Sequence, residues 1–259
     1  LSGNTSDKVS LQETIQKVES FKKQINLDLP FKWVADAALY TRDKLLKPDN
    51  KYSWLTRVPE TIKQARDLLE MPGETISWQE QEKGYKTFST SSNYGDIEQR
   101  WMLIYSSQSY QREQAKLEEK LEKEKAKLTK QLWHLSKEVF ACQKDAHKAV
   151  KPLIKQQDLL GIDYKIEAIK GYSQPGKPKE GDQGIIKGYQ LTGEVIENKQ
   201  RIEKVLTRKG RFILATNDLD QESYSDQAML EEYKDQQKVE RGFRFLKYPW
   251  FMVDSVYLK

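Results

Sequence analysis

The chain has 259 residues, 37% hydrophobic and 32% charged, a balance that favours one or two globular domains and excludes a disordered chain. Lysines and arginines outnumber aspartates and glutamates by 44 to 39, and the pI of about 8.9 permits nucleic-acid binding without indicating it. Cys142 is the only cysteine, which excludes an intramolecular disulfide and fits a reducing cytoplasm, and no apolar run reaches the about 18 residues of a membrane span.

Helix and strand patterns alternate along the first 72 residues. The spacing of Ser10 and Glu13 predicts a capping box at the start of a helix, and Pro30 is expected to end that helix. Two runs rich in apolar, aromatic and β-branched residues predict strands. This alternation is typical of an α/β layer. The predicted elements are a helix at 11–25, a strand at 31–39, a short helix at 41–46, a strand at 51–58 and a helix at 60–70.

The pattern changes after Pro72 and Gly73. We predict a hairpin of strands at 85–91 and 98–106, one long helix from about Ser109 to Val150 that Pro152 ends, two further strands at 164–172 and 185–197, a short helix, a strand at 211–216 and a last helix. We therefore expect an α/β core in two pieces, 1–72 and 211–259, interrupted by a large mixed insertion at 73–210.

The long predicted helix repeats leucine at seven-residue spacing, interleaved with lysine and glutamate. This pattern predicts either a coiled-coil dimer seam or a helix packed along its own insertion domain. Its lysines could follow a DNA backbone, but five acids between Arg112 and Lys130 offset seven bases and weaken the attraction.

The last helix holds an unusual set of polar residues on one face. Steps of three and four residues keep a phenol, an acid and two cations on a single ridge. An acid can hold a divalent metal and cations can grip phosphate, so the ridge is either a phosphodiester-handling site or an ordinary charged helix surface. The ridge consists of Tyr233, Gln236, Glu240, Arg244 and Lys247.

The spacing Tyr233-x2-Gln236-x3-Glu240-x6-Lys247 resembles the Tyr-x2-Arg-x3-Glu-x6-Lys signature of bacterial insertion-sequence transposases, which have a DDE active site and an RNase H-like fold. The words "ERGFRFLK", "VADAALYT", "WLTRVPETI" and "LSGNTSD" are similar to those of one group in that family and follow in the expected order. Gln236 departs from the signature, because glutamine can donate a hydrogen bond to phosphate but brings no charge.

The resemblance implies roles for individual residues. Glu240 would be the last acid of the metal-binding triad, and Asp36, at the end of "FKWVAD", would be the second. Tyr233 and Lys247 would contact DNA near the cleaved phosphate, together with Gln236 and Arg244. The sequence alone favours Asp36 as the cap of the short helix that follows it, and the resemblance reverses that preference.

The implied cofactor is Mg²⁺, with Mn²⁺ as the alternative. Two such ions activate the attacking hydroxyl and stabilise the leaving oxygen during in-line phosphodiester displacement. The first Asp of the family lies upstream of the region that "LSGNTSD" resembles, and Asp7 and Asp28 follow no strand pattern. We therefore expect the chain to be a fragment that supplies two of three metal ligands and is inactive alone.

The expected function is thus a DNA transposase that hydrolyses and joins the ends of its own insertion sequence. Its partners would be the terminal inverted repeats and target DNA, bound by a homodimer, with no membrane, in the bacterial cytoplasm at the nucleoid. The alternative is a non-catalytic DNA-binding or coiled-coil interaction protein in which Glu240 is only surface.

Overall fold

A computed structural model describes residues 32–35, 53–155, 157–171 and 185–246, without the side chains of 237 and 239–246. The predicted short helix at 41–46 lies outside these residues. Six single residues are also described. Four of them are helical and belong to the predicted first helix: Lys17, Ser20, Phe21 and Gln24. The other two are Ala37 and Tyr40. The chain divides into two compact units: unit 1 is Leu1–Gln108 with Gly210–Lys259, and unit 2 is Ser109–Lys209.

Unit 1 is built on a six-stranded mixed sheet. Its strands are β1 (Lys32–Ala35), β2 (Ser53–Arg57), β3 (Gln79–Gln81), β4 (Tyr85–Tyr94), β5 (Ile97–Ser106) and β8 (Arg211–Thr216). Their order in the sheet is β1-β2-β8-β5-β4-β3, with β1 and β2 parallel and every other neighbouring pair antiparallel. The two-residue turn between β4 and β5 puts Gly95 and Asp96 at positive φ, as a hairpin turn of this length requires.

Among the described residues, one helix covers each face of this sheet. Helix α1 (Lys63–Leu69) packs on a face rich in aromatic residues, where Trp54 and Trp101 are buried. Helix α5 (Asp226–Leu246) packs on the other face, against residues such as Leu55. Strand alternation sends Trp101 to one core and its neighbour Met102 to the other. The mixed α/β class with a sheet flanked by helices is therefore confirmed for the described residues.

In its described residues, unit 2 combines one hairpin with three helices. Its strands β6 (Leu160–Gly171) and β7 (Ile185–Glu197) form a two-stranded antiparallel sheet. The helices are α2 (Ser107–Leu135), α3 (Gln143–Lys155) and α4 (Lys199–Arg208). Leucines of the heptad pattern, Leu121, Leu128 and Leu132, are buried against α3 and the hairpin of the same unit. The leucine face of α2 thus packs within unit 2, which agrees with the prediction of a helix packed along its own domain.

The prediction of one helix from Ser109 to Val150 was wrong, because α2 and α3 are separate helices. Between them, the backbone of Phe140 exchanges two hydrogen bonds of 2.8 Å with Tyr189 of β7. This pairing requires extended backbone, so helix α2 must end before it. Pro152 lies inside α3 instead of ending the helix.

The chain leaves unit 1 and returns to it at adjacent strands. The amide of Ser106, the last residue of β5, donates to the carbonyl of Gly210 at 2.9 Å, directly before β8. Unit 2 is therefore inserted where two neighbouring antiparallel strands could be joined by a short turn. The predicted roles of 1–72, 73–210 and 211–259 as catalytic core and insertion stay predictions, since compact units do not reveal roles.

Candidate functional site

Helix α5, which carries the predicted ridge, begins on the sheet of unit 1. Ser225 Oγ accepts the amide proton of Ala228 at 3.2 Å and caps the helix. Asp226 is buried, and its Oδ1 accepts from Ser89 Oγ of β4 at 2.7 Å. The start of α5 is therefore held at the β4 side of the sheet.

The sheet-facing stripe of α5 includes the first ridge residue. Met229 is fully buried, and Tyr233 is 4% exposed with its ring 6.0 Å from that of Phe212. Continuing the stripe by steps of three and four residues leads to positions 236 and 240, and Gln236 is half-buried. Tyr233, the first residue of the predicted ridge, therefore lies inside the core and not on a solvent-exposed surface of α5.

An ion pair joins helix α5 to β1. Lys32 Nζ lies 3.4 Å from Glu232 Oε2 and 3.1 Å from the centroid of the Tyr224 ring. The Tyr224 hydroxyl donates a hydrogen bond to Glu232. Burial, together with this bond to a carboxylate, raises the pKa of Tyr224 well above its usual range. The three side chains fix the second turn of α5 against β1.

Helix α5 runs in the same direction as β1. Met229 Sδ lies 3.6 Å from Nη2 of Arg100, near the start of β5. Lys234 Nζ lies 3.5 Å from the ring centroid of Tyr85, which pairs with Ser106 at the end of β5. Because β5 is antiparallel to β8, and β8 to β2, β5 also runs parallel to β1. The later residues of α5 therefore lie toward the end of the sheet at which β1 ends.

A buried arginine lies beneath α5. Arg100 is 5% exposed, with its guanidinium 5.4 Å from the Tyr224 ring centroid. Within the described residues, its Nε and Nη1, and Oδ2 of Asp226, have no hydrogen-bond partner. This charge belongs to the core between sheet and helix.

The structure describes only part of the predicted site. Asp36 and Lys247 lie outside the described residues. Glu240 and Arg244 belong to α5 by their backbone, but their side chains are not described. The predicted metal pair Asp36 and Glu240 and the predicted DNA contacts therefore stay predictions.

The described part of the chain contains no group of three or more histidine, cysteine, aspartate or glutamate side chains that could hold a metal ion. Neither Asp36 nor the Glu240 side chain belongs to that part, so this absence does not bear on the predicted Mg²⁺ ligands. None of the described helices is long and apolar enough to cross a membrane.

Sequence reasoning missed the residues that join α5 to the sheet. Arg100 gave a usable signal, because it stands beside the strongly apolar run "WMLIY" of a predicted strand, where a charge is unusual. Lys32, Tyr224 and Glu232 gave none, since their contacts join distant parts of the chain.

Comparison with protein-family models, curated proteins and solved structures finds no match to this chain.

Proposed function

We propose that this chain is part of a DNA transposase with an RNase H-like core, which uses Asp36 and Glu240 to hold Mg²⁺ at a phosphodiester bond. The proposal rests on the signature residues of α5 and on the words similar to one transposase group. The ions would supply an activated hydroxyl and a stabilised leaving oxygen. Gln236, Arg244 and Lys247 would bind the DNA at the same site, whereas the burial of Tyr233 disfavours the DNA contact that the resemblance implies for it.

The observation that carries the proposal is the ion pair between Lys32 of β1 and Glu232 of α5 at 3.4 Å. From Lys32 to Asp36, four residues of strand would cover about 13 Å. From Glu232 to Glu240, eight residues of helix cover about 12 Å in the same direction. If the strand continues to Asp36, the two predicted acids would be offset from this ion pair by nearly the same distance, which supports the proposal of a shared metal site.

Strand parity supports the same site. Lys32 and Val34 lie on the α5 side of the sheet, whereas Trp33 and Ala35 pack on the α1 side. Asp36 is the next residue of the parity of Lys32 and Val34 in the sequence. A carboxylate there is expected on the side of the sheet that carries Glu240.

The test is strand transfer by the parent protein with its upstream segment, on a plasmid bearing the DNA that flanks the coding region. We expect Glu240→Gln and Asp36→Asn each to lower Mg²⁺-dependent activity by about 100-fold or more. Each substitution removes a carboxylate ligand of the Mg²⁺ ions that would stabilise the negative charge on the reacting phosphate. Glu231→Gln makes the same change at an exposed position of the same helix and should retain activity. Wild-type activity of Glu240→Gln would contradict the proposal.

A further inference from the structure

The outward face of α3 in unit 2 is a row of four lysines, Lys144, Lys148, Lys151 and Lys155. Their steps of four, three and four residues keep them on one side of the helix, and all four are exposed. The opposite side of α3 holds Ala146 and Val150, which are fully buried in the unit 2 core.

This row of like charges costs stability, and one long ion pair offsets only a small part of that cost. Lys144 and Lys148, Lys148 and Lys151, and Lys151 and Lys155 are like-charge neighbours, which destabilise a helix. Among the described residues the only acid within 4 Å of the row is Asp145, whose Oδ1 lies 3.8 Å from Lys148 Nζ. A face kept wholly basic at this cost is more consistent with an anionic partner than with a merely solvated surface.

Helix α2 provides the contrast within the same unit. Its Lys123 lies 2.5 Å from Glu119 and its Lys120 lies 3.7 Å from Glu124, both at four-residue spacing. These are the pairs that stabilise solvated helices. Lys120 and Lys123 of α2 therefore have a structural explanation that the four lysines of α3 lack.

Unit 2 is also polarised in charge. Helix α3 packs on the hairpin face that carries Ile162. The exposed face on the other side of β6 and β7 carries three acids with Lys165 among them: Asp163, Glu167 and Glu194. An extended polyanion is therefore attracted to the α3 side of the unit and repelled from the other.

We propose that the lysine row of α3 binds the phosphate backbone of duplex DNA without reading its sequence. The row is about 16 Å long, enough to span the about 12 Å major groove and contact phosphates on both strands. Anionic lipid fits less well, because the apolar residues Ala146 and Val150 are buried and cannot insert into a bilayer. The proposal rests on the proposed function and deepens it by giving unit 2 a DNA contact of its own.

The test is fluorescence anisotropy of the whole 259-residue chain with a labelled duplex of arbitrary sequence, over a range of salt concentrations. We expect Lys148→Gln with Lys151→Gln to bind about 10- to 100-fold more weakly at 0.1 M salt, and to lower the slope of log K against log salt by about 2. Lys148→Arg with Lys151→Arg should keep the wild-type slope.

The matched control is Lys120→Gln with Lys123→Gln, which removes the same charge from paired lysines of α2 and should leave the slope nearly unchanged. Unchanged far-ultraviolet circular dichroism shows that each variant is folded. The proposal is overturned if the wild-type chain binds no duplex, if the α2 and α3 variants lose binding equally, or if phosphatidylserine vesicles are bound through these lysines and DNA is not. Loss of binding in the α3 variant, combined with full strand transfer by Glu240→Gln, would refute the catalytic proposal alone.

Discussion

Unit 1 and unit 2 differ in which parts of the chain build each of them. In unit 1, β8 pairs with β2 and β5, and the amide of Trp54 donates to the Asn217 side chain at 2.8 Å across most of the chain. In unit 2, all elements follow one another between Ser109 and Lys209. Unit 1 therefore needs both ends of the chain before its sheet can form, whereas unit 2 can assemble from one continuous segment.

This difference teaches which parts can be separated. A continuous segment with its own core can be removed if its ends lie close together. Ser106 and Gly210 flank unit 2 and are already hydrogen-bonded at 2.9 Å. Unit 1 has no such break, because its two segments share one sheet and both of its cores.

The largest expected effect comes from excising unit 2. Replacing residues 107–209 by Asn-Gly would join β5 to β8 through a two-residue hairpin turn. We expect the shortened chain to keep a cooperative unfolding transition in urea, followed by the fluorescence of Trp54 and Trp101, and to lose the helical signal of α2 and α3. A shortened chain without a cooperative transition would show that unit 1 depends on unit 2.

Single core substitutions sharpen the comparison. Trp101 is 2% exposed, and its Nε1 donates to Tyr40 at 3.0 Å, so Trp101→Ala should destabilise unit 1 by about 3–5 kcal/mol. Leu128 is 1% exposed in unit 2, and Leu128→Ala should destabilise that unit by about 2–5 kcal/mol.

Urea titrations followed by tryptophan fluorescence for unit 1 and by circular dichroism for the helices of unit 2 would separate the two effects. Trp133→Ala, at a side chain that is 55% exposed, is the control and should change stability little. If Trp101→Ala and Leu128→Ala displaced one common transition, the two units would unfold together and the comparison would fail.

Local patterns predicted the elements whose form depends on neighbouring residues. The apolar run at 211–216 became β8 with the same bounds, and the predicted hairpin of strands at 85–91 and 98–106 became β4 and β5. The break after α2 could not be predicted in this way, because it depends on Phe140 pairing with Tyr189 of a later strand. Local periodicity contains no information about such a partner.

The site divides similarly. Helical spacing predicted that the ridge residues Tyr233 to Arg244 belong to one helix, and α5 contains them. It did not predict that Tyr233 is buried, because burial depends on which side of α5 meets the sheet. Nor did it predict the contact of Lys32 with Glu232, which joins the two ends of unit 1.

The smallest expected effect is a pH dependence confined to unit 1. Burial raises the pKa of Tyr40 and Tyr224, one on each face of the sheet, well above the usual range, and the bond to Glu232 raises that of Tyr224 further. An unfolded phenol ionises near pH 10. Above that pH the unfolded state therefore releases protons that the folded state retains, and the free energy of unfolding falls as pH rises through the raised values.

By pH 11 we expect a loss of about 1 kcal/mol for each phenol, seen as a lower urea midpoint of the fluorescence transition. The double variant Tyr40→Phe with Tyr224→Phe should be less stable than the wild type at pH 8, since it removes the 2.6 Å hydrogen bond of Tyr40 to Gln99 and that of Tyr224 to Glu232. Its urea midpoint should nevertheless change less than that of the wild type between pH 9 and pH 11. An equal alkaline loss in the double variant would assign the effect to lysine deprotonation. Tyr40 and Tyr224 would then contribute nothing to the alkaline loss of stability.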